Sequence, residues 1–540
     1  MADCKFQDGV KHNLIKQNIK FEDIIEELGS FGKFQIRMNI IFNVIAVIFS
    51  TMSSYARIIA LTVPEHWCHV PGREGTNLTA EMWKNVTIPR QDGEYSRCLM
   101  KTQGEENETT PCLYGWDYDT TWLSLTAASQ EDWVCDKELY PNTVYSVSLF
   151  VSTAIGVTLF YIGDRFGRRI QYLVGLSATS LSQILLPLSA SVFPLYIVLS
   201  AVSEGAHLPM AEAAMATGVE LASIKHRSSV NFLGFFSYCL GVIAMALVAW
   251  FVRNWVYFTL IAAVPCFIPL LLQKYLPESP RWLINKGRTE DACEVLERIA
   301  RTNGKTLSPD ITKKIDTLCQ QRTSKMGITI IITNKNLLKN TILLVLNRSA
   351  AAFTVFTLLF SNSNFGVNPF VAFIGKGSLQ LVALYAAHVV GNKFGRRVTQ
   401  CLVLMSTGFF CIILVFLTTG HSTQWIITTF SLMLLFCCEC SYSLSNLQSL
   451  ELHPTSIRQI GIAIEYVFVQ CTLTAAPHLA QLGKTSGMYI VFSVLAAVTL
   501  IMSALMSFVP ESFNEKLPET KNDISLLGKN QKYWSFPTRK

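Results

Sequence analysis

Charge is scarce in this chain: Asp, Glu, Lys and Arg make up 15% of its 540 residues, where a soluble protein carries about 25%. A soluble globular fold is disfavoured on that ground alone. Recognisable catalytic apparatus is lacking too. No cluster of metal ligands and no Gly-framed nucleophile stands out, so an enzyme is the least favoured class, and neither a cofactor nor a metal is expected. A Gly-Lys-Thr at residues 483–485 has His478 where a phosphate loop needs its first Gly, which argues against ATP as an energy source. The isolated His388 and His478 read as structural. The first 37 residues hold several Lys and no apolar stretch of the kind a cleavable signal needs, so the amino terminus is expected to stay in the cytosol.

Apolar length is what the chain has in quantity. Half of its residues are apolar and its mean hydropathy is +0.33. Runs of the ~20 residues needed to cross a bilayer recur, for example at residues 38–60, 142–162, 170–190, 231–251 and 398–419. Twelve such runs predict an all-α polytopic membrane protein. Short cytoplasmic loops gather Lys and Arg, and residues 61–141, between the first two runs, do the opposite, with six basic and fourteen acidic residues. That segment is therefore placed outside the cell. Its sequons at Asn77, Asn85 and Asn107 predict glycosylation, and its even set of Cys68, Cys98, Cys112 and Cys135 predicts two disulfides of open pairing. The other eleven Cys read as free thiols. The formal net charge of +7 follows from the positive-inside bias and gives no reason to expect a nucleic-acid partner.

Three landmarks recur at nearly one interval. GDRFGRR at 163–169 returns as GNKFGRR at 391–397, Glu220 with Arg227 returns as Glu451 with Arg458, and LPES at 276–279 returns as VPES at 509–512. The chain therefore divides into a cytosolic segment 1–37, a six-helix half 38–275 containing the outer loop, a cytosolic linker 276–340, a second six-helix half 341–509, and a polar tail 510–540 expected to be disordered. Within the linker, Thr289 before EDACEVLERIA and Ser308 before Pro309 and Asp310 predict the starts of short amphipathic helices. The duplicated charges suit a gate. Asp164, Arg165, Arg168 and Arg169 of the first motif, Arg396 and Arg397 of the second, and the pairs Glu220 with Arg227 and Glu451 with Arg458 fall at cytosolic helix ends, where contacts between charges and helix termini are worth about 0.3–2 kcal/mol and can be made in one state and broken in another. The plain alternative is a set of positive-inside anchors. Asn392 stands where Asp164 does, so the second latch should be weaker.

These motifs carry a family resemblance. GDRFGRR and GNKFGRR, LPESPRWL at 276–283, the large first loop, FEDIIEELGSFGKFQIR before the first crossing, VPEHWC after it, GWDYD at 115–119, EDWVCDKE and ELHPTSIRQIG are similar to the major facilitator superfamily, specifically to the organic cation, anion and zwitterion transporters of solute carrier family 22. The resemblance implies the major facilitator fold, with two six-helix pseudo-repeats about a central cavity, a plasma-membrane location with both termini cytosolic, and movement of small organic ions without ATP.

An ionisable side chain at bilayer depth normally faces a cavity or a partner. The candidates are Glu204, His207 and Glu212 in the fourth run, Arg348 in the seventh, Lys376 in the eighth, Glu439 in the tenth and Glu465 in the eleventh, with Glu465 read as a gate residue. Leaving His aside, their balance is two negative charges, which favours cations or zwitterions. Glu204 and Glu212 share one helical face. Family positions that are acidic in many cation carriers map by the resemblance to Gln380 and Gln470, both neutral here. A substrate of both charges would then use these amides as hydrogen bonders, Glu439 for its ammonium, and Lys376 or Arg348 for its carboxylate. Tyr442 and Tyr466 are the aromatic candidates. The function expected is secondary transport of carnitine-like, amino-acid-derived or biogenic-amine compounds. An organic-anion carrier and a non-transporting receptor on the same fold are the alternatives, and any co-transported or exchanged ion is left open.

Overall fold

The computed structural model describes residues 21–518 apart from 30, 92–93, 103–107, 307–314, 316–317, 319–328, 362–368, 421–422, 455–456 and 516. Helix dominates it, because a segment in lipid has no water for its amides and must close its hydrogen bonds internally. The bundle comprises α1 (Lys33–Ala60), α2 (Tyr140–Phe166), α3 (Arg168–Leu185), α4 (Phe193–Glu220), α5 (Arg227–Val252), α6 (Trp255–Leu271), α7 (Lys335–Ser361), α8 (Pro369–Phe394), α9 (Arg396–Thr419), α10 (Gln424–Leu452), α11 (Arg458–Ser486) and α12 (Met488–Met506). Among the described residues, ten of these are long and apolar enough to cross a membrane. The other two fall short for physical reasons. α4 has 28 residues but includes Glu204, His207 and Glu212, and α6 is apolar but shorter.

Within the first half α4 packs on α2 and α3; within the second, α7 packs on α11 and α9 on α12. The halves meet along α2–α11 and α5–α8, two pairs that the duplication exchanges. Small residues let these backbones approach. A Cβ on Gly156 of α2 would lie 2.4 Å from the ring of Tyr466 on α11, and one on Gly377 of α8 would lie 2.6 Å from Ile243 on α5. The bundle has two distinct ends: a motif end bearing GDRFGRR and GNKFGRR, and a loop end bearing residues 61–141.

The loop is not helical throughout. Its strands β1 (His66–Cys68) and β6 (Trp116–Tyr118), β2 (Arg90–Gln91) and β3 (Glu94–Tyr95), and β4 (Leu99–Lys101) and β5 (Thr109–Pro111) form three two-stranded antiparallel ribbons. Runs of two or three residues have no room for alternation, which is why the sequence pattern does not reveal them. Disulfides join Cys68 to Cys112 and Cys98 to Cys135 around a small core of Val70, Ile88 and Met100. Asn77 and Asn85 are exposed, with the Asn85 Oδ1 accepting from Arg90 and Tyr95; Asn107 lies outside the described residues. The loop rests on the bundle through Trp255, whose indole N–H donates to Gln130 Oε1 at 2.9 Å.

At the motif end, helices Phe21–Glu27, Pro280–Asn285 and Thr289–Asn303 share a core with α1 that includes Phe21, Ile24, Leu283, Leu296 and Ile299. Residues 21–29 and 31–37 thus contribute buried side chains to this layer rather than forming a merely polar leader. Asn303 clamps this layer, accepting from the Phe34 amide at 2.9 Å and donating to the Leu28 carbonyl at 3.0 Å. The cap of Thr289–Asn303 is Arg288 rather than Thr289, with no side-chain capping bond, and Arg288 Nε reaches Asp291 at 2.6 Å in the acidic first turn. Ser308 lies outside the described residues. The tail begins as structure, because Glu511 and Ser512 are buried; residues from 519 onward lie outside the described residues.

Candidate functional site

A cavity of about 180 Å³ lies between the halves, and Glu204, Glu212, Arg348, Lys376, Gln380, Glu439, Tyr442, Tyr466 and Gln470 all line it, together with His207. Four groupings define its chemistry. Gln380 of α8 donates through Nε2 to Glu439 Oε2 of α10 at 2.7 Å, while Glu439 Oε1 and Gln380 Oε1, both buried, have no hydrogen-bond partner among the described residues. One turn back on α8, the Lys376 ammonium stands 5.8 Å from the centre of the Tyr55 ring, and no carboxylate forms an ion pair with it among the described residues. Tyr55 in turn meets Tyr238 hydroxyl to hydroxyl at 3.0 Å, and Phe235 stands edge-on to Tyr442. This wall of the cavity therefore presents two unmatched acceptor oxygens set among aromatic rings.

The second grouping is Gln470, whose Nε2 donates to Ser152 Oγ of α2 and to Tyr466 OH, each at 3.1 Å. Both its amide donors are thus spent on the α2–α11 seam, leaving it only a carbonyl for a ligand. In the third, Arg348 bridges Glu212 at 2.7 Å and Glu465 at 3.2 Å. Arg348 is consequently held by two carboxylates in this state and is not free for a substrate carboxylate, which corrects one of its two expected roles. The fourth is Arg57 of α1, which pairs with Glu204 and donates to the Ser200 carbonyl at 2.6 Å. His207, one turn from Glu204 on α4, has its Nε2 without a hydrogen-bond partner among the described residues. Counting Arg57 reduces the balance of intramembrane charge from two negative charges to one.

At the motif end the duplicated motifs become joints. Gly167 and Gly395 sit at φ +109° and +91°, a region other residues avoid, and turn the chain between α2 and α3 and between α8 and α9. Glu278 accepts from the amides of Arg168 (2.8 Å), Arg169 (3.2 Å) and Ser279 (3.0 Å), and Glu511 accepts from those of Arg396 (2.7 Å), Arg397 (3.0 Å) and Ser512 (3.1 Å). Each Glu of a PES thus closes the first turn of the helix after a basic motif, matching a carboxylate to the positive end of a helix dipole. Burial pushes the Glu278 carboxyl up, and the amides pull the other way. A Cβ on Gly167 would fall 2.1 Å from Glu278 Oε2, so glycine is needed for space as well as for φ.

The acid–base pairs connect differently from their order in sequence. Arg458 of the second half donates to Glu220 of the first at 2.6 Å, both fully buried, and Glu220 also accepts from Ser279 Oγ. Arg227 donates to the Glu515 carbonyl at 3.3 Å, and Glu451 accepts from Ser512 Oγ at 2.7 Å with Arg396 Nε at 3.7 Å. Asp164 Oδ2 accepts from the Ile460 amide at 3.0 Å, in the first turn of α11, while Arg168 stands 3.5 Å from its other oxygen. Asn392 bonds to Arg396 at 2.8 Å and to His388 at 3.2 Å, both in its own half. Arg165 reaches only Tyr161 and the Phe166 ring among the described residues, so it takes no part in a latch; Arg169 contributes its amide, and Arg397 is buried. Gln171 with Gln459 completes the joint, and the halves are thereby closed at the motif end.

Comparison with known proteins agrees with this architecture. The family model of the Major Facilitator Superfamily matches residues 138–471. The chain belongs to that superfamily. Like other major facilitator proteins, it has the family and fold of a transporter and is a multi-span membrane protein. It is 26% identical to solute carrier family 22 member 7 of Rattus norvegicus, over 93% of this chain and 98% of the relative. It is 25% identical to the carcinine transporter of Drosophila melanogaster, over 97% and 81%. In fold it resembles the proton:xylose symporter XylE bound to 6-bromo-6-deoxy-D-glucose, with TM-score 0.65, 16% identity, and coverage of 92% of this chain and 100% of the other. In this superfamily member, three residues of consequence escape a reading from sequence: Arg57, Glu278 and Glu511. The recurrence of PES after each half was the available signal for the two Glu.

Proposed function

We propose that the chain is a secondary transporter of small organic cations or zwitterions, working by alternating access in the plasma membrane. Twelve crossings would leave both termini cytosolic, with the motif end facing the cytosol and the glycosylated loop outside. The observation that carries the substrate class is the unmatched pair Glu439 Oε1 and Gln380 Oε1. Buried acceptors without donors are unfavourable by about 1–3 kcal/mol each, so the cavity is complementary to a ligand that brings N–H groups or a positive charge. Tyr55, Tyr238, Phe235 and Tyr442 in the same wall suit an ammonium through their π faces. Similarity to the carcinine transporter and to solute carrier family 22 members supports an organic ion as cargo. Lys376, without an ion pair among the described residues, favours a zwitterion as a second reading alongside a simple cation.

The test is uptake of labelled choline, carcinine, glycine betaine and benzoate by cells expressing the chain, beside Glu439→Gln with surface density measured. The expected outcome is uptake of choline, carcinine or betaine. Glu439→Gln should reduce it by about 10–100-fold, the equivalent of losing one charge-assisted hydrogen bond of ~1.5–3 kcal/mol. Transport of benzoate alone, unchanged in the variant, would reverse the assignment.

A further inference from the structure

We propose that Glu212, Arg348 and Glu465 form a site that binds one proton from the cavity and so controls closure of the motif end, coupling the cycle to proton movement. Charge is the starting point. Two carboxylates share one guanidinium, Arg348 Nη2 to Glu212 Oε1 at 2.7 Å and Arg348 Nη1 to Glu465 Oε2 at 3.2 Å, and all three side chains are 3% exposed or less. One negative charge is left without a cation in a buried site, a condition that is expensive unless something cancels it.

The neighbours do not cancel it. From α10, Tyr442 and Glu439 face the cavity beside the triad, and Ser449 donates to Glu465 at 2.7 Å. His453, 3.6 Å from Glu465, has Nδ1 at 3.0 Å from the Ser449 carbonyl and Nε2 at 3.4 Å from the Thr341 hydroxyl of α7, and both contacts are satisfied by a neutral ring. Arg458, at the start of α11, is committed to Glu220 at 2.6 Å. Two oxygens of the triad, Glu212 Oε2 and Glu465 Oε1, are buried and have no hydrogen-bond partner among the described residues. Glu212 and Arg348 line the cavity, and Glu465 does not, so a proton arriving through the cavity meets Glu212 first.

Its effect follows from which elements the triad joins. Arg348 and Glu465 belong to the second half, Glu212 to the first. A proton on Glu212 neutralises the charge and weakens the Arg348–Glu212 link, which lies two turns, about 12 Å along α4, on the cavity side of the Glu220–Arg458 latch. Loosening the inner link removes support from the outer one, and the motif end opens.

Proton coupling rests on the transport reading for its purpose, but its test needs no substrate. Nitroxides are placed on Lys225→Cys and Lys393→Cys, exposed positions at the motif end of the two halves, with Cys4, Cys293, Cys319 and Cys471 replaced by Ser. Pulsed EPR distances are then measured on the full chain in lipid nanodiscs between pH 8 and pH 5. On acidification, the expected result is growth of a longer-distance population, the open-to-closed ratio rising by at most about tenfold per pH unit, as one proton allows. Glu465→Gln, which leaves a balanced Glu212–Arg348 pair, should stay at the short distance throughout. Glu212→Gln, which removes the cross-half ion pair, should show the long distance at both pH values. Distances independent of pH in the protein with its triad intact would overturn the proposal, as would an unaltered pH response in either variant. A negative uptake panel would instead count against the transport reading and leave this result standing.

Discussion

Lys376 lies one turn from Gln380 on α8, and Gln380 donates to Glu439 on α10. An ammonium and an unmatched carboxylate oxygen therefore face one cavity, with Lys376 and Gln380 about 6 Å apart along the helix axis. A ligand bearing both charges on a short skeleton can satisfy both, whereas a monocation uses only the acceptors. Lys376→Met is accordingly expected to reduce glycine betaine uptake by roughly 10–100-fold, the scale of a hydrogen bond to a charged group at ~1.5–3 kcal/mol. Choline uptake should hold or rise; the ratio of the two KM values checks it. At this scale the sequence is informative because charge in an apolar run stands out. Arg57 escaped notice because it falls near the end of the first run, where a basic residue reads as a boundary. The partner of Glu204 was not legible because it depends on which faces α1 and α4 present to one another.

Between elements, two of the motif contacts cross from one half to the other: Glu220 with Arg458, and Asp164 with the start of α11. Arg458 is fully buried against Glu220, so Glu220→Gln leaves a buried guanidinium without its counter-charge, a change worth about 3–5 kcal/mol. Its melting temperature in detergent should fall clearly below that of the parent, and the double variant Glu220→Gln with Arg458→Gln should recover most of the loss. Asp164 reaches the other half through one amide at the start of α11. Asp164→Asn should slow turnover without reducing surface delivery, by a factor of up to about 30 for a helix-terminus contact of ~0.3–2 kcal/mol; initial rates normalised to surface protein decide it. The motifs were legible as repeats, but their connections were not. Glu220 and Arg458 are separated by 238 positions, and only the folding of one half against the other shows that the pairing crosses between repeats instead of staying within each.

Over the whole molecule, duplication was the strongest signal in the chain, since a repeated half implies a repeated bundle, and the seams α2–α11 and α5–α8 follow from that symmetry. The loop of residues 61–141 was legible in its charge and its cysteines but not in its six short strands. The central claim is that the chamber between the halves accepts positive charge. Transport current on a supported membrane carrying the purified protein tests it most directly, with choline, carcinine and benzoate added in turn at constant pH. Choline or carcinine is expected to carry positive charge into the vesicles, with the current lost in Glu439→Gln. A response to benzoate alone, negative in sign and indifferent to Glu439, would contradict that claim.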